Sequence, residues 1–417
     1  MRGSPSSMTS GGLEAEGQRI PGVTVRKIEK EIYEVFIGPQ HPGSGHMRII
    51  VKLDGDIIVE ADPDIGYVHR TMEKLSEVRE WLKPIPLLER MTIIDACNIT
   101  LPYVNALEKL MGKTPSTRAS YLRVLLCEIN RVASHLYGMG IFGVFIGHST
   151  MYMWAFGDRE VFVELAEALT GARLTHTYPI PGGVRRDMPQ ELPEMARRAV
   201  RYMRRRLEEY RKIFVDNPVI VKRLAGVGVI SKSRAIELGI VGPNLRASGV
   251  KYDVRIAEPY EVYGELDFEI PVFEEGDALA RTWVRVEEIK QSLNIIEQAV
   301  NWLETHKGEP AIAKEDFDKL PKLHKEVYEK EGRVKLIPAH ATMKIPAGKA
   351  VARGEMGRGE IFYCVESDGG TTPYRVRVVS PSARNAIVFK HIVPGHTLMD
   401  LPAIYGSIDY FPPESDR

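Results

Sequence analysis

Cysteine is scarce in this chain. Only Cys97, Cys127 and Cys364 occur among 417 residues, and they lie far apart in sequence. That excludes a disulfide-stapled secreted scaffold and any CxxC metal site. It also excludes an iron–sulfur cluster ligated by this chain alone, since such a cluster takes about four thiolates. An excess of one charge is missing too, because 56 basic residues balance 56 acidic ones. There is no chain-wide basic field to draw in nucleic acid. No GxxxxGK[ST] phosphate loop is present, no GxGxxG follows a strand, and HExxH is absent. Gly226-Val227-Gly228 lacks the third glycine of a dinucleotide turn, and Gly43-Ser44-Gly45 lacks the spacing of a nucleophile elbow. Met1–Ile20 is rich in Gly and Ser without an apolar run, so it reads as no secretory leader. Residues 1–23 are expected to form a disordered tail.

What remains is an ordinary globular composition, 44% apolar and 27% charged. One stretch calls for a membrane test: between Arg131 and Asp158 no residue carries a formal charge. It contains Gly138, Gly140, Gly143, Gly147, His135 and His148, which suits a pair of buried helices better than a bilayer span.

Residues 24–60 read as strands. Met47–Leu53 and Ile57–Glu60 flank Asp54-Gly55-Asp56, a hairpin signal. The Gly/Pro-rich run from Gly38 to His46 reads as a loop. Asp62-Pro63-Asp64 is expected to cap a following helix rather than hold a hard cation. From Asp64 to about 330 the reading is mainly helical. Leu192, Met195, Ala199, Met203, Leu207, Tyr210 and Phe214 recur at helical spacing, as do Ile289, Leu293, Ile296, Val300 and Leu303. The other face of the first helix carries Arg197, Arg198, Arg201, Arg204, Arg205 and Arg206, which reads as a solvated face. Residues 335–417 read as a C-terminal β region and tail, with Phe362–Glu366 and Tyr374–Val379 as strands. The class is α+β, a central helical bundle with small sheets near both ends of one domain over 24–417.

Longer motifs follow one another in a fixed order. They include Gly38-Pro39-Gln40-His41-Pro42, Asp62-Pro63-Asp64-Ile65-Gly66, His69-Arg70, Glu89-Arg90, Arg118-Ala119-Ser120-Tyr121, Gly171-Ala172-Arg173, Gly182-Gly183-Val184, Arg246-Ala247-Ser248-Gly249 and the final Asp416-Arg417. In this order they resemble the large catalytic-core subunit shared by respiratory complex I (NuoD-like) and the energy-converting nickel–iron hydrogenases. The resemblance runs from about residue 33 to the end. It implies a fold like the nickel–iron hydrogenase large subunit and a peripheral place in a membrane complex. It also implies several partners: a NuoB-like small subunit carrying the proximal iron–sulfur cluster, a NuoC-like subunit, a ferredoxin-like cluster subunit, and membrane NuoH-like and antiporter-like subunits. The place implied is the cytoplasmic face of the cell membrane.

The chain departs from both chemistries of that family. The resemblance puts Thr92, Asp95, Phe411 and Glu414 where the hydrogenases carry four thiolates, and soft thiolates suit a nickel–iron centre where these residues do not. No metal and no cofactor is expected on this chain itself. At the quinone site, Ser44 takes the histidine's place, Ile93 the tyrosine's and Phe145 the aspartate's, while His46 is one step away. The family's arginine before Pro-Gly-Gly is Ile180. Arg90 is kept, and the resemblance implies a place beside the partner's proximal cluster, where a guanidinium stabilises added negative charge. It puts His176 near that cluster as well. A third branch, the membrane-bound sulfane sulfur reductases of anaerobic archaea, is similar to the hydrogenases without the nickel site. It takes electrons from ferredoxin, and Arg90, His41, His46 and Arg48 are then the expected pocket residues. A divergent quinone reductase and a silent scaffold stand as alternatives.

Overall fold

The computed structural model describes residues 21–29, 31–41, 45–333 and 343–417. The chain is 52% helical and 15% strand, with the sheets small and set apart, as expected for this α+β class. Of the tail expected over 1–23, residues 1–20 lie outside the described residues, and Val23 already opens the first strand.

Four antiparallel strands open the fold in the order β1 (Val23–Lys27), β2 (Ile32–Ile37), β3 (Arg48–Asp54) and β4 (Ile57–Asp64). Gly55 adopts φ 62° in the β3–β4 turn, the left-handed conformation that a tight hairpin demands. Ile49, Val51 and Leu53 alternate inward and pack with Phe389, Leu401, Ile404 and Tyr405, so the N-terminal sheet is seated on the C-terminal segment. Asp62-Pro63-Asp64 caps no helix. It completes β4, an edge strand, where the missing N–H of Pro63 is tolerated. The first helix begins only at Met72, after Thr71.

Six helices follow: α1 (Met72–Glu77), α2 (Ile85–Glu89), α3 (Ala96–Met111), α4 (Thr117–Phe145), α5 (Ser149–Thr170) and α6 (Leu192–Tyr210). The charge-free stretch is the hairpin of α4 and α5, and no helix among the described residues is long and apolar enough to cross a membrane. The hairpin turns at His148, whose ring Nδ1 accepts the Met151 N–H at 3.0 Å and caps α5. Glycine sets how closely the two helices approach. A Cβ on Gly140 would lie 2.9 Å from the Phe156 ring. Short strands β5 (Pro179–Ile180) and β6 (Gly183–Val184) lie between α5 and α6.

The arginine face of α6 is less solvated than its charge suggests. Arg204 reaches Glu297 at 2.6 Å and Arg197 pairs with Glu304, both on the long Ala278–Thr305 helix. Arg206 bonds Asp158 at 2.8 Å and lies 4.2 Å from the Trp154 ring centre. Ion pairs also run through the core. Glu128 accepts from Arg131 and Arg255 at 3.2 Å and from Tyr263 and Ser292 at 2.6 Å. Arg246 reaches Glu288 at 2.7 Å and Glu355 at 2.9 Å. Arg131, Arg246 and Arg255 are therefore internal struts, each paired with a buried carboxylate.

Two of the widely spaced cysteines meet. The Cys97 and Cys127 sulfurs lie 3.3 Å apart between α3 and α4, both free and fully buried, while Cys364 is half-buried. A three-stranded antiparallel sheet follows, β7 (Gly348–Met356), β8 (Gly359–Ser367) and β9 (Arg375–Val379). The expected β region ends there. From Pro381 the chain is helical, and Leu401–Ile408 and Pro412–Asp416 are its last helices.

Candidate functional site

α2 ends at Glu89, and Arg90 follows as its C-terminal cap, donating Nη1–H to the Pro86 carbonyl at 2.7 Å. The guanidinium is exposed and enters no ion pair among the described residues. Arg70 donates to the Arg90 carbonyl at 2.5 Å, and its backbone N–H bonds the Arg417 carbonyl at 3.1 Å. Through these bonds the C-terminus, the segment before α1 and the end of α2 form one wall.

Behind Arg90 the four positions identified with the missing thiolates come together from opposite ends of the chain. Thr92 Oγ1 donates to Glu414 Oε2 at 3.1 Å, and Glu414 Oε1 accepts the Ser382 N–H at 2.9 Å. Asp95 accepts the Gly357 N–H at 2.8 Å and the Asn98 amide at 2.6 Å. Arg358 holds the Asp409 carbonyl at 2.9 Å and its carboxylate at 3.1 Å, and its guanidinium covers the Phe411 ring at 5.0 Å. Tyr137 meets Phe411 edge-on at 6.3 Å. Burial pushes the Asp95 and Glu414 carboxyls up from their usual range. These residues do not fit a nickel–iron group. They offer no thiolate, and their oxygens are already hydrogen-bonded within the fold. Among the described residues no group of three or more His, Cys, Asp or Glu side chains is placed to hold a metal ion.

The quinone positions are apolar or undescribed. Ile93 stands 40% exposed in the wall, and Phe145 packs edge-on against Tyr405 at 5.3 Å. Ser44 lies outside the described residues. His41 bridges to Gly45, and His46 is exposed. A Cβ on Gly45 would sit 3.3 Å from the Tyr405 hydroxyl and 3.6 Å from Pro412, which seats the end of this loop beside the Phe411 segment. Arg48 is committed locally: it pairs with Asp64 and lies over the rings of Phe36 at 5.7 Å and Tyr67 at 5.6 Å. Its charge is neutralised, and it braces the segment that runs on to Asp416 through the Val68 N–H, 3.0 Å from that carboxylate.

His176 is buried in the turn after α5. Its Nδ1 lies 3.0 Å from the Ala172 carbonyl and its Nε2 3.2 Å from the Asn130 side-chain nitrogen, so Nδ1 carries the proton and Nε2 accepts. Burial lowers the ring pKa to about 4, leaving it neutral at pH 7. The next residue, Thr177, takes φ 45° and gives its N–H to Glu89 at 2.6 Å and its hydroxyl to the same carboxylate at 3.2 Å. Burial pushes Glu89 up to about 7. Sequence reasoning passed over Glu89, although its place directly before Arg90 was a signal. It also passed over Arg159 on α5, which lines a small cleft with Ile93, Asn130, Phe162, Leu174 and His176.

The description "Respiratory-chain NADH dehydrogenase, 49 Kd subunit" matches residues 146–417. The D-type subunit of the NADH-quinone oxidoreductase of Syntrophobacter fumaroxidans is 38% identical over 391 residues, covering 94% of this chain and 98% of the relative. A D-type subunit of the same enzyme from Chloroherpeton thalassium is 36% identical over 384 residues, covering 91% and 86%. Among solved structures, a chain of the membrane-bound sulfane sulfur reductase, an archaeal respiratory membrane complex, superposes with a TM-score of 0.83 at 39% identity, covering 94% of this chain and 100% of that one. The chain thus belongs to the family of the 49 kDa subunit of respiratory-chain NADH dehydrogenase and is a core subunit of a membrane respiratory oxidoreductase complex.

Proposed function

We propose that this chain is the large core subunit of a ferredoxin-dependent sulfane sulfur reductase, working from the cytoplasmic face of the membrane and coupled to ion translocation. The observation that carries the reading is the closed knot of Thr92, Asp95, Phe411 and Glu414 directly behind an open Arg90. Neither family chemistry has its groups: no thiolates remain for hydrogen activation, and the quinone positions hold Ser44, Ile93 and Phe145. The solved sulfane sulfur reductase chain, at 39% identity, supports the same branch.

In this reading a NuoB-like partner brings an iron–sulfur cluster against the wall, and that cluster supplies the electrons. The chain's own residues form the pocket and steady the products. Cleavage of a trisulfide balances as RS–S–SR plus two electrons giving RS⁻ and RSS⁻. Both products are anions, and an exposed guanidinium at Arg90 stabilises them through charge-assisted hydrogen bonds. His176 is neutral and fully engaged, so it shapes the turn and carries no charge to the site. Arg48 braces the segment after β4 through Asp64, and the exposed His46 is the loop's available proton donor. A NuoC-like subunit, a ferredoxin-like cluster subunit, and NuoH-like and antiporter-like membrane subunits complete the assembly.

The names of the relatives favour a second reading, quinone reduction with His46 in place of the usual histidine. Turnover of the native complex separates the two, with reduced ferredoxin as donor and either dimethyl trisulfide or a quinone as acceptor. Thiol release without quinone turnover supports the sulfur reductase, and the reverse result overturns it. Arg90→Ala in an intact complex tests the pocket itself: unchanged turnover with both acceptors would reduce this chain to a scaffold.

A further inference from the structure

Tyr137 stands on α4 one turn beyond Ala133, which lines the cleft beside Ile93. Its ring is held from two sides. Phe156 of α5 lies 5.5 Å away, tilted by 53°, and Phe411 meets it edge-on at 6.3 Å. Gly138 sets how closely the C-terminal segment approaches here, because a Cβ on it would lie 2.9 Å from the Asp409 carboxylate. The hydroxyl, by contrast, makes no hydrogen bond among the described residues. Tyr137 is half-buried, and unlike the hydroxyls of Tyr363 and Tyr410 its oxygen is not sealed inside the fold. Other donors of this wall are engaged. Thr92 gives its hydroxyl to Glu414, Arg358 is held by Asp409, and His176 Nδ1 faces the Ala172 carbonyl. Ile93 and Phe411 have no polar side-chain atom to offer. The charged groups acting on the Tyr137 hydroxyl are Arg358 and Arg159, which favour its ionisation, and Asp409, which with Tyr152 opposes it. Burial is the largest influence and holds its pKa above the usual tyrosine value, so the oxygen keeps its proton through the neutral range.

We propose that Tyr137 is a catalytic donor of this site: its hydroxyl gives a hydrogen bond to the sulfur that leaves as a thiolate when the S–S bond of a sulfane substrate is cleaved. This rests on the sulfur-reductase reading above and adds a residue to it. The substrate lies against the open side of the wall, because the cleft behind Ile93 is too small to admit it. Two electrons from the partner's cluster enter RS–S–SR, one S–S bond breaks, and RS⁻ and RSS⁻ result. The Tyr137 proton stays on its oxygen throughout. Only the O–H···S⁻ bond strengthens, as charge gathers on the departing sulfur, so the interaction favours the transition state over the bound substrate. The donor is pre-oriented, since its ring is fixed between α5 and the Phe411 segment before any substrate arrives. Arg90 then faces one product anion and Tyr137 the other.

The test is Tyr137→Phe in the native complex, checked for complete subunit composition, with reduced ferredoxin in excess. The oxygen has no partner inside the fold, so its removal breaks no internal hydrogen bond, and both ring contacts stay. Thermal inactivation of the complex should be unchanged. With dimethyl trisulfide, kcat and kcat/KM are expected to fall together by about 10- to 100-fold, the loss of one hydrogen bond to a charged sulfur, with KM within about twofold. With diphenyl trisulfide the loss should be less than about threefold, because an aryl thiolate is a weaker base, leaves faster and asks less of the donor. The variant thus depends more steeply on leaving-group pKa than the wild type does. Unchanged kcat with dimethyl trisulfide, or the same loss with both acceptors, overturns the assignment and leaves the reductase reading intact. A wild-type complex inert toward both trisulfides overturns that reading and this inference with it.

Discussion

Glu89 and His176 are tied to one turn and are shifted in opposite directions, so their effects on its stability should cancel over a defined pH window. Glu89 is raised from 4.5 to about 7, chiefly by burial. Its contribution to the closed turn is whole below pH 4.5 and is lost as pH climbs through about 7. His176 is lowered from 6.5 to about 4, again chiefly by burial. Its contribution is whole above pH 6.5 and is lost as pH falls toward about 4. Each shift is worth roughly 3 kcal/mol in full, with a slope of about 1.4 kcal/mol per pH unit inside its window. Between about pH 5 and 6.5 the closed state holds one extra proton on Glu89 and lacks one on His176. Opening the turn is then nearly independent of pH. Glu89→Gln removes one slope and keeps an acceptor for the Thr177 N–H. Across the same interval the variant should gain about 2 kcal/mol, a roughly 30-fold rise in protection. His176→Gln should show the mirror image, a fall of similar size. The assay is amide hydrogen exchange on a peptide spanning Thr177 within the complex, corrected for the intrinsic pH dependence of exchange. A flat profile for Glu89→Gln, or a wild-type slope as steep as either variant's, would refute the reasoning.

Three further outcomes follow from the packing. Arg358→Met strands the Asp409 carboxylate with Arg285 at 3.9 Å as its remaining cation, and should destabilise the C-terminal segment by about 3–5 kcal/mol. Adding Asp409→Asn should restore most of the exchange protection of residues 409–416; a double variant as weak as the single one would show that the charge pair is not the cause. Gly140→Ala places a methyl against the Phe156 ring and should lower stability by about 1–3 kcal/mol, read as a faster thermal inactivation of the complex. The Cys97 and Cys127 thiols are fully buried and should resist a thiol-alkylating reagent in the native complex; labelling of either without denaturant, detected by peptide mass, would contradict the packing of α3 on α4.

The parts of this molecule that were legible in its sequence are those governed by short-range rules. The Asp54-Gly55-Asp56 turn and the periodic helices at α6 and Ala278–Thr305 needed only neighbouring residues, and they formed as expected. Asp62-Pro63-Asp64 misled because the same residue types serve a helix cap or a strand edge, and the partner that decides, Arg48, sits across a sheet. The arginine face of α6 looked solvated because its carboxylates belong to a helix about ninety residues away. At the site, the resemblance located Thr92 and Glu414, but nothing local foretold a hydrogen bond between residues separated by 322 positions. Glu89 and Arg159 were missed for a related reason. What marks them is burial and the absence or presence of a partner, and neither is written into spacing.

The knot at Thr92, Asp95, Phe411 and Glu414 bears on how the chain closes on itself. Segments separated by 322 positions are fastened there by a hydroxyl, two carboxyls, an aromatic ring and the Arg358 guanidinium. The Pro412–Asp416 helix is held at this knot through Glu414, which accepts from Thr92 and from the Ser382 N–H. The wall behind Arg90 is therefore completed only by contacts of very long sequence separation, the kind that carries the largest loop-closure cost.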